Sequence, residues 1–383
     1  MSNGSLPMIS GFADDRFAPV ARAFRENFTQ REELGSAVAI YHGNRLVVDL
    51  WGGTRDAASK APWQADTITL MMSVAKGISA ICVAMVADRG LLSLDAPVSQ
   101  YWPEFAAEGK EKVTVREALS HLAGIPVTDL AKPGDFYHWD RMIPAIANQK
   151  PLWPVGEQQV YHSSTLGFIA GELIRRVTGK TLGTFLREEI CAPRGFDYFI
   201  GMSEAERARC ATIVASANNV VNAAKREPRD SVAYRMWQAV PVEEDYNSTL
   251  WRQNEIPSVN GHGTARAVAG IYNAVISPGP NGEKPLVSKE MLAQFVTEQR
   301  ARGENADKGR LRMAVGFMLN SPPHRPMGPN PEAFGHSGAG GSQAFADPVA
   351  GLSLCWTTNK MHDGGDIGPR AAAIIEAAYA SIA

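Results

Sequence analysis

Cysteine is scarce in this chain, with four in 383 residues. Cys82, Cys191, Cys210 and Cys355 are far apart, form no CxxC pair and sit mostly in apolar company, which argues against a disulfide framework and predicts small core residues. No HExxH occurs and the eight histidines are scattered, so neither a metal site nor another cofactor is expected. Net charge is −2 and no lysine or arginine block recurs along a face, which leaves out nucleic acid and anionic membrane as partners. No apolar run approaches the ~20 residues of a membrane span. The start, "MSNGSLPMISGFADDRF", has neither a basic head nor an apolar h-region, and a cytoplasmic location is expected. With 45% hydrophobic and 20% charged residues, the chain can bury a substantial core as one large domain or two closely packed ones. No feature sets an oligomeric state.

The pattern along the chain begins with "RFAPVARAFRENF", where Phe17, Val20, Ala21, Phe24 and Phe28 form one stripe of a helix. Two β-rich runs around "HGN" predict a hairpin. From Ser73 an apolar helix runs to a stop at Arg89 and Gly90. Residues 91 to 160 are rich in Pro, Gly and aromatics, which suggests short helices and ordered, pocket-lining loops. Amphipathic helices follow at Leu166–Val177, Leu182–Ile190 and within "NGHGTARAVAGIYNAV". Strands return in "RMAVGFMLN", "GSQAFADP" and "GLSLCWTTN", and "PRAAAIIEAAYASIA" closes the chain as a helix. The Pro-rich "SPPHRPMGPNPEAFG" reads as a surface loop.

Within "LMMSVAKGISAICVAMVADRG", Ser73 and Lys76 stand at i and i+3, on one face of a helix, where an amine can reach a hydroxyl. A lone SxxK arises by chance roughly once in a chain this long, as a capping serine followed by a solvent-facing lysine. The apolar flanks favour chemistry instead: a buried ammonium is costly, so Lys76 is expected to lose its proton and serve a serine nucleophile as base. Ser337, in "FGHSGAGGSQAF", nearly spells a G-x-S-x-G elbow. However, Ala339 stands at the last glycine and a β-like run follows where the elbow needs a helix. A glycine-rich strand that allows close backbone approach is the simpler reading there.

"SVAK", then "YHS" (Tyr161, His162, Ser163), then "HSG" (His336, Ser337, Gly338) occur in the order and approximate spacing of the signature elements of the serine β-lactamase and penicillin-binding-protein superfamily. Connecting text such as "DRGLLSLDAPVSQYWPEF" and "VTVREALSHLAGIP" resembles the class C-like branch, and family VIII carboxylesterases most of all. The similarity runs from about residue 15 to the end. It implies an α+β fold, a β-lactamase-like α/β sandwich. An antiparallel sheet flanked by helices would come from residues 1–72 and 255–383, with a mainly helical second domain from 73–254 and the active site at their interface. Ser73 would attack the acyl carbon, with Lys76 and Tyr161 sharing the proton work and the backbone N–H groups of Ser73 and Ala339 forming the oxyanion hole, the latter on the strand after His336.

Two departures from the lactamases shape the expected activity. His336 stands where they carry Lys, and Ser163 where they carry Asn; a mostly neutral imidazole fixes a substrate carboxylate poorly. The expected function is therefore a serine carboxylesterase acting on small-molecule esters with short acyl groups, preferred over β-lactams by roughly 100-fold. Amide, D-peptide or β-lactam hydrolysis or acyl transfer on the same residues is the alternative, as is a non-catalytic binding member of the fold. His336 and Gly338 are expected to line the substrate site with Ser163. Trp153 and Tyr137, with Phe136 and Trp139 beside them, are expected to add an apolar wall, and His121 to be structural.

Overall fold

A computed structural model describes residues 8–241, 245–279, 282–303, 311–364 and 367–383. Residues 1–7, part of the start for which no leader is expected, lie outside the described residues. Eleven strands form two sheets among the described residues: β1 Ile9–Ala13, β2 Gly35–His42, β3 Arg45–Asp56, β4 Ala61–Pro62, β5 Thr69–Leu70, β6 Tyr198–Ile200, β7 Gly261–Gly263, β8 Met318–Leu319, β9 Phe334–Ser337, β10 Gln343–Asp347 and β11 Leu352–Thr358. The large sheet has the order β1-β3-β2-β11-β10-β9-β8, with β4 on β3, and its paired strands are antiparallel. The two ends of the chain meet in it where β2 pairs with β11.

The period-two pattern decides what each face carries. Val38, Ile40, Leu354 and Trp356 share a buried cluster with Phe24 of helix α1 (Ala18–Gln30) and Ile374 of the C-terminal helix Gly368–Ala380. Ala39, Ala344, Ala346 and Cys355 point the other way, into the cluster that holds helices α2 (Val74–Asp88) and Ala265–Ile276. Small residues on that face let Ala265–Ile276 lie close, and Ser353 Oγ donates to the Ala269 carbonyl at 2.8 Å. All four cysteines are buried thiols. No helix of the described residues is long and apolar enough to cross a membrane.

Helix α2 is apolar all round because it is wrapped all round: every residue from Val74 to Ala87 is buried. It packs on β9, on helix α3 (Thr165–Thr178) and on the helix Lys289–Val296. A three-stranded sheet, β5-β7-β6, ties the chain just before α2 to Gly261–Gly263, and Met71 N–H donates to the Gly261 carbonyl at 2.9 Å.

The stretch "RMAVGFMLN" does not form the expected long strand. Met313 bridges back to Met318 around Gly316, whose φ of +76° suits glycine, and only Met318–Leu319 joins the sheet. Gly316 lies against Ala80 of α2, where a Cβ would stand 2.6 Å from that methyl. The Pro-rich segment is also more than a surface loop. Met327 is wholly buried, and Asn320 holds the segment from inside: its Oδ1 accepts from Met327 N–H at 2.9 Å and its Nδ2 donates to the carbonyls of Gly328 and Asn330.

Candidate active site

Ser73 stands at a strand–turn–helix junction. β5 ends at Leu70, Met72 takes a positive φ of 46°, and α2 begins at Val74. A left-handed methionine stores strain, and it aims the next residue away from the path of the strand. Ser73 occupies the N-cap position, yet its side chain makes no capping hydrogen bond, so the hydroxyl is available for chemistry.

Lys76, one turn on, is fully buried. Its Nζ lies 3.2 Å from Ser73 Oγ and donates to the Ser258 carbonyl at 2.8 Å. No carboxylate pairs with it among the described residues, and burial pushes its pKa well below the ordinary lysine value. The Ser258 carbonyl is itself fixed. Ser258 Oγ donates to the Ser164 carbonyl at 2.7 Å and accepts from Gly167 N–H at 2.7 Å, while Asn260 bonds Ile256 N–H and the Trp251 carbonyl. The approach of α3 to this turn requires Gly167, whose Cβ would meet Ser258 N at 2.1 Å.

Tyr161 comes from the loop before α3. Its hydroxyl bonds Ser73 and lies 3.3 Å from His336 Nε2, with Lys76 Nζ 5.0 Å from the centre of its ring. Burial raises its pKa; the Ser73 hydrogen bond and the charge of Arg325 only partly oppose this, so the phenol keeps its proton at neutral pH. His336 Nδ1 faces the Ser337 carbonyl at 2.7 Å, which places the proton there and leaves Nε2 to accept from Tyr161. Its pKa is lowered to about 3, first by burial and then by Lys76. The Tyr161 loop is held by two neutral histidines: His162 N–H donates to His121 Nδ1 at 2.9 Å, Ile125 N–H donates to His162 Nε2 at 3.2 Å, and the His121 ring lies 4.8 Å from that of Tyr161.

The turn after β9 completes the arrangement. β9 ends at Ser337, so Ala339 is not on a strand as expected but in the turn closed by Gly338 N–H to the Ser342 carbonyl at 2.7 Å. Neither the Ser73 nor the Ala339 amide meets a backbone carbonyl among the described residues, and both residues line one cavity of about 190 Å³. Gly338 packs against the turn before Ser73, where a Cβ would stand 2.1 Å from the Met71 carbonyl oxygen. With these amides as the expected oxyanion hole, Gly338→Ala should push them apart and lower kcat for esters by about 10- to 100-fold, somewhat less than deleting an oxyanion donor outright. Steady-state kinetics beside a melting curve checks this; an unchanged kcat would mean that the turn can shift without harm.

The same cavity takes in Ser163, Ser337, Gly338 and, unexpectedly, Val220, Trp237 and Arg325. Among the described residues Ser337 Oγ bonds Met318 Sδ, at 3.5 Å, rather than a base, and a turn and β10 follow it where the elbow needs a helix, which argues against the elbow reading. Two expected wall residues are elsewhere. Trp153 packs across Gly124, and Tyr137 lines a separate cavity with His138, Trp139 and Glu255. Phe136 is a core residue against Phe168 and Trp237, and Trp139 donates to Glu172 at 3.0 Å. Arg325, from the Pro-rich segment, was not expected on this wall.

The family model described as Beta-lactamase matches residues 20–379. The chain belongs to the beta-lactamase family. It is 33% identical over 363 residues to "Esterase/beta-lactamase LipL" of Mycobacterium tuberculosis, covering 92% of this chain and 83% of that protein. A crystal structure of a family VIII carboxylesterase superposes with a TM-score of 0.87 at 36% identity, over 98% of this chain and 100% of that one. A penicillin-binding-protein homologue from Caulobacter crescentus gives 0.87 at 37% identity, over 98% and 100%. This member of the family is a serine hydrolase, and its sheet, flanking helices and helical middle are those of the family fold.

Proposed function

We propose that this chain is a carboxylesterase that hydrolyses short-acyl esters through an acyl-enzyme on Ser73. The observation that carries the reading is the contact between Ser73 Oγ and a fully buried lysine amine that no carboxylate pairs with among the described residues. Burial drives such an amine toward its neutral form, in which it can take a proton, whereas a solvent-exposed lysine stays charged.

In the proposed cycle, Ser73 Oγ bonds to the acyl carbon as its proton passes to Lys76 Nζ. Negative charge moves onto the carbonyl oxygen, held by the Ser73 and Ala339 N–H groups. Collapse breaks the bond to the alcohol oxygen, which leaves with a proton returned from Lys76 by way of the Tyr161 hydroxyl. Water then repeats the sequence on the acyl-enzyme, Lys76 again takes the proton, and the acid and Ser73 are released. His336 takes no proton in this cycle; it accepts the Tyr161 hydrogen bond and orients the phenol.

Small, mostly apolar surroundings suit short acyl groups: Met72, Val220, Trp237, Leu311 and Met318 face a space of about 190 Å³. Several relatives are named as esterases, among them LipL and the family VIII carboxylesterase, which supports the same reading. β-Lactam hydrolysis is the second reading, favoured by the name of one relative, an esterase/beta-lactamase. His336 stands in place of a lysine and Ser163 in place of an asparagine, and each replaced contact is a loss of about 1.5–3 kcal/mol. A short-chain nitrophenyl ester should thus exceed nitrocefin by about 100-fold or more in kcat/KM. Both substrates are to be measured on wild type and Ser73→Ala. Equal values on wild type would move the activity to lactams, and hydrolysis surviving in Ser73→Ala would remove the nucleophile.

A further inference from the structure

The cavity that holds Tyr137 is larger than the catalytic one, about 360 Å³ against about 190 Å³, and large enough for a small ligand. It lies at the other end of α3. The Tyr161 loop leads into the first turn of that helix, whereas Arg175, in its last turn, is on the wall of this second cavity. Roughly 15 Å of helix therefore separates the two. Their linings differ in kind. Met72, Val220, Leu311 and Met318 supply much of the catalytic cavity, but no aliphatic hydrocarbon side chain lines the other among the described residues. Two rings, Tyr137 and Trp139, stand there with donors on Arg175 and Gln253 and acceptors on Asp140 and Glu255.

Several of these groups are held in place from behind. Glu172 of α3 is fully buried; it accepts from Trp139 Nε1 at 3.0 Å and from Arg175 Nε and Nη2 at 2.8 and 2.6 Å. One buried carboxylate thus fixes both the indole and the guanidinium, and it answers the arginine's charge, so the wall does not select an anion. The half-buried indole also packs across Gly171, where a Cβ would stand 2.5 Å from Trp139 Cη2. Glu255 accepts from Thr181 Oγ1 at 2.6 Å and from Gly183 N–H at 2.9 Å. A carboxylate offers about four acceptor sites, so lone pairs remain for a ligand hydroxyl.

Ring faces take up C–H groups, and planar polar side chains of both kinds suit a molecule whose hydroxyls donate and accept at once. We propose that this second cavity binds a neutral sugar, free or at the end of a longer glycan, with its ring laid on Trp139 and its hydroxyls met by Arg175, Gln253 and Glu255. The site stands apart from Ser73, and its occupation needs no ester chemistry.

The probes are the methyl glycosides of glucose, galactose and mannose, with maltose and cellobiose beside them, titrated against the full chain by tryptophan fluorescence and by ligand-detected NMR. At least one should saturate with a Kd on the order of 1 mM. A disaccharide tighter than its methyl glycoside would show that the cleft takes more than one ring; equal values would confine recognition to the terminal sugar. Trp139→Ala should weaken binding by at least about tenfold. Gln253→Ala, an exposed position that leaves the packing alone, should weaken it by about three- to tenfold. Trp139→Phe should keep most of the affinity seen by NMR yet lose most of the fluorescence change, which locates the sugar at this one of the eight tryptophans. Leu311→Trp, which crowds the catalytic cavity, should leave sugar affinity unchanged. Melting curves on all four variants guard against misfolding. Failure of all five sugars to bind overturns the assignment, as does an affinity that survives both Trp139→Ala and Gln253→Ala. Loss of binding in Leu311→Trp would move the sugar to the catalytic cavity and reject the second site. Benzylammonium binding more tightly than every sugar, and losing that affinity in Asp140→Asn, would make the cleft a cation site instead.

Discussion

Lys76→Ala is expected to lower kcat for a short-chain ester by at least about 100-fold, the scale of general-base catalysis, and Tyr161→Phe by a similar factor. Both side chains converge on one oxygen. Lys76 Nζ is 3.2 Å from Ser73 Oγ, and the Tyr161 hydroxyl bonds the same serine. In the proposed cycle the lysine accepts the proton and the phenol carries it on to the leaving oxygen. Their states differ: the amine is fixed by its bond to the Ser258 carbonyl and driven toward its neutral form, and the phenol is held protonated by burial. Groups that act as a unit lose their effect together. The double variant should therefore be little worse than either single one. Losses that multiply would assign the two residues to separate steps, and a Tyr161→Phe variant with wild-type kcat would make the phenol a packing group. A melting curve on each variant guards against misfolding; Lys76→Ala leaves the Ser258 carbonyl without its donor, a cost of about 1–3 kcal/mol that the core should tolerate.

What could be read beforehand followed the range of the interactions involved. Ser73 and Lys76 were legible because i, i+3 spacing on an apolar helix is a local fact, and Lys76 is buried for the reason that the flanking residues give. Val38 and Ile40 against Ala37 and Ala39 likewise announce the two faces of the sheet. Tyr161 and Ala339 emerged only from family likeness, since a tyrosine in a loop and an alanine in a turn carry no local sign of what they face. Ser258 was missed because its contribution is a carbonyl, which any residue could supply; only the Asn260-braced turn gives it a position. Arg325 was passed over because proline-rich text suggests an outer loop, whereas Asn320 and Met327 draw the segment inward. Tyr137 and Trp153 were misplaced for a related reason: aromatic content marks a wall without saying which cavity it belongs to.

The pH profile of kcat/KM should show one acid limb, owned by Lys76, and a plateau above it. The base in the proposed cycle is the neutral amine, so activity is lost as pH falls through the lysine pKa and the ammonium forms. Below that point kcat/KM should drop tenfold per pH unit. Burial, with no carboxylate paired to Lys76 among the described residues, places the limb well below the range of a free lysine. His336 cannot own the limb. Its pKa lies at about 3, and its Nε2 is already taken up with the Tyr161 hydroxyl across the working range. Tyr161 as a phenolate base predicts a different curve, because its pKa is raised: kcat/KM would climb tenfold per unit through pH ~9–10 with no plateau. The measurement is kcat/KM between about pH 4 and 10 on wild type, Lys76→Ala and His336→Gln. The limb should vanish in the residual activity of Lys76→Ala and stay in position in His336→Gln, even if the latter lowers the plateau by loosening the phenol. A limb that disappears with His336 would hand the base to the imidazole. A continuous rise without a plateau would hand it to the phenolate, and the buried amine would then serve only to position the Ser73 hydroxyl.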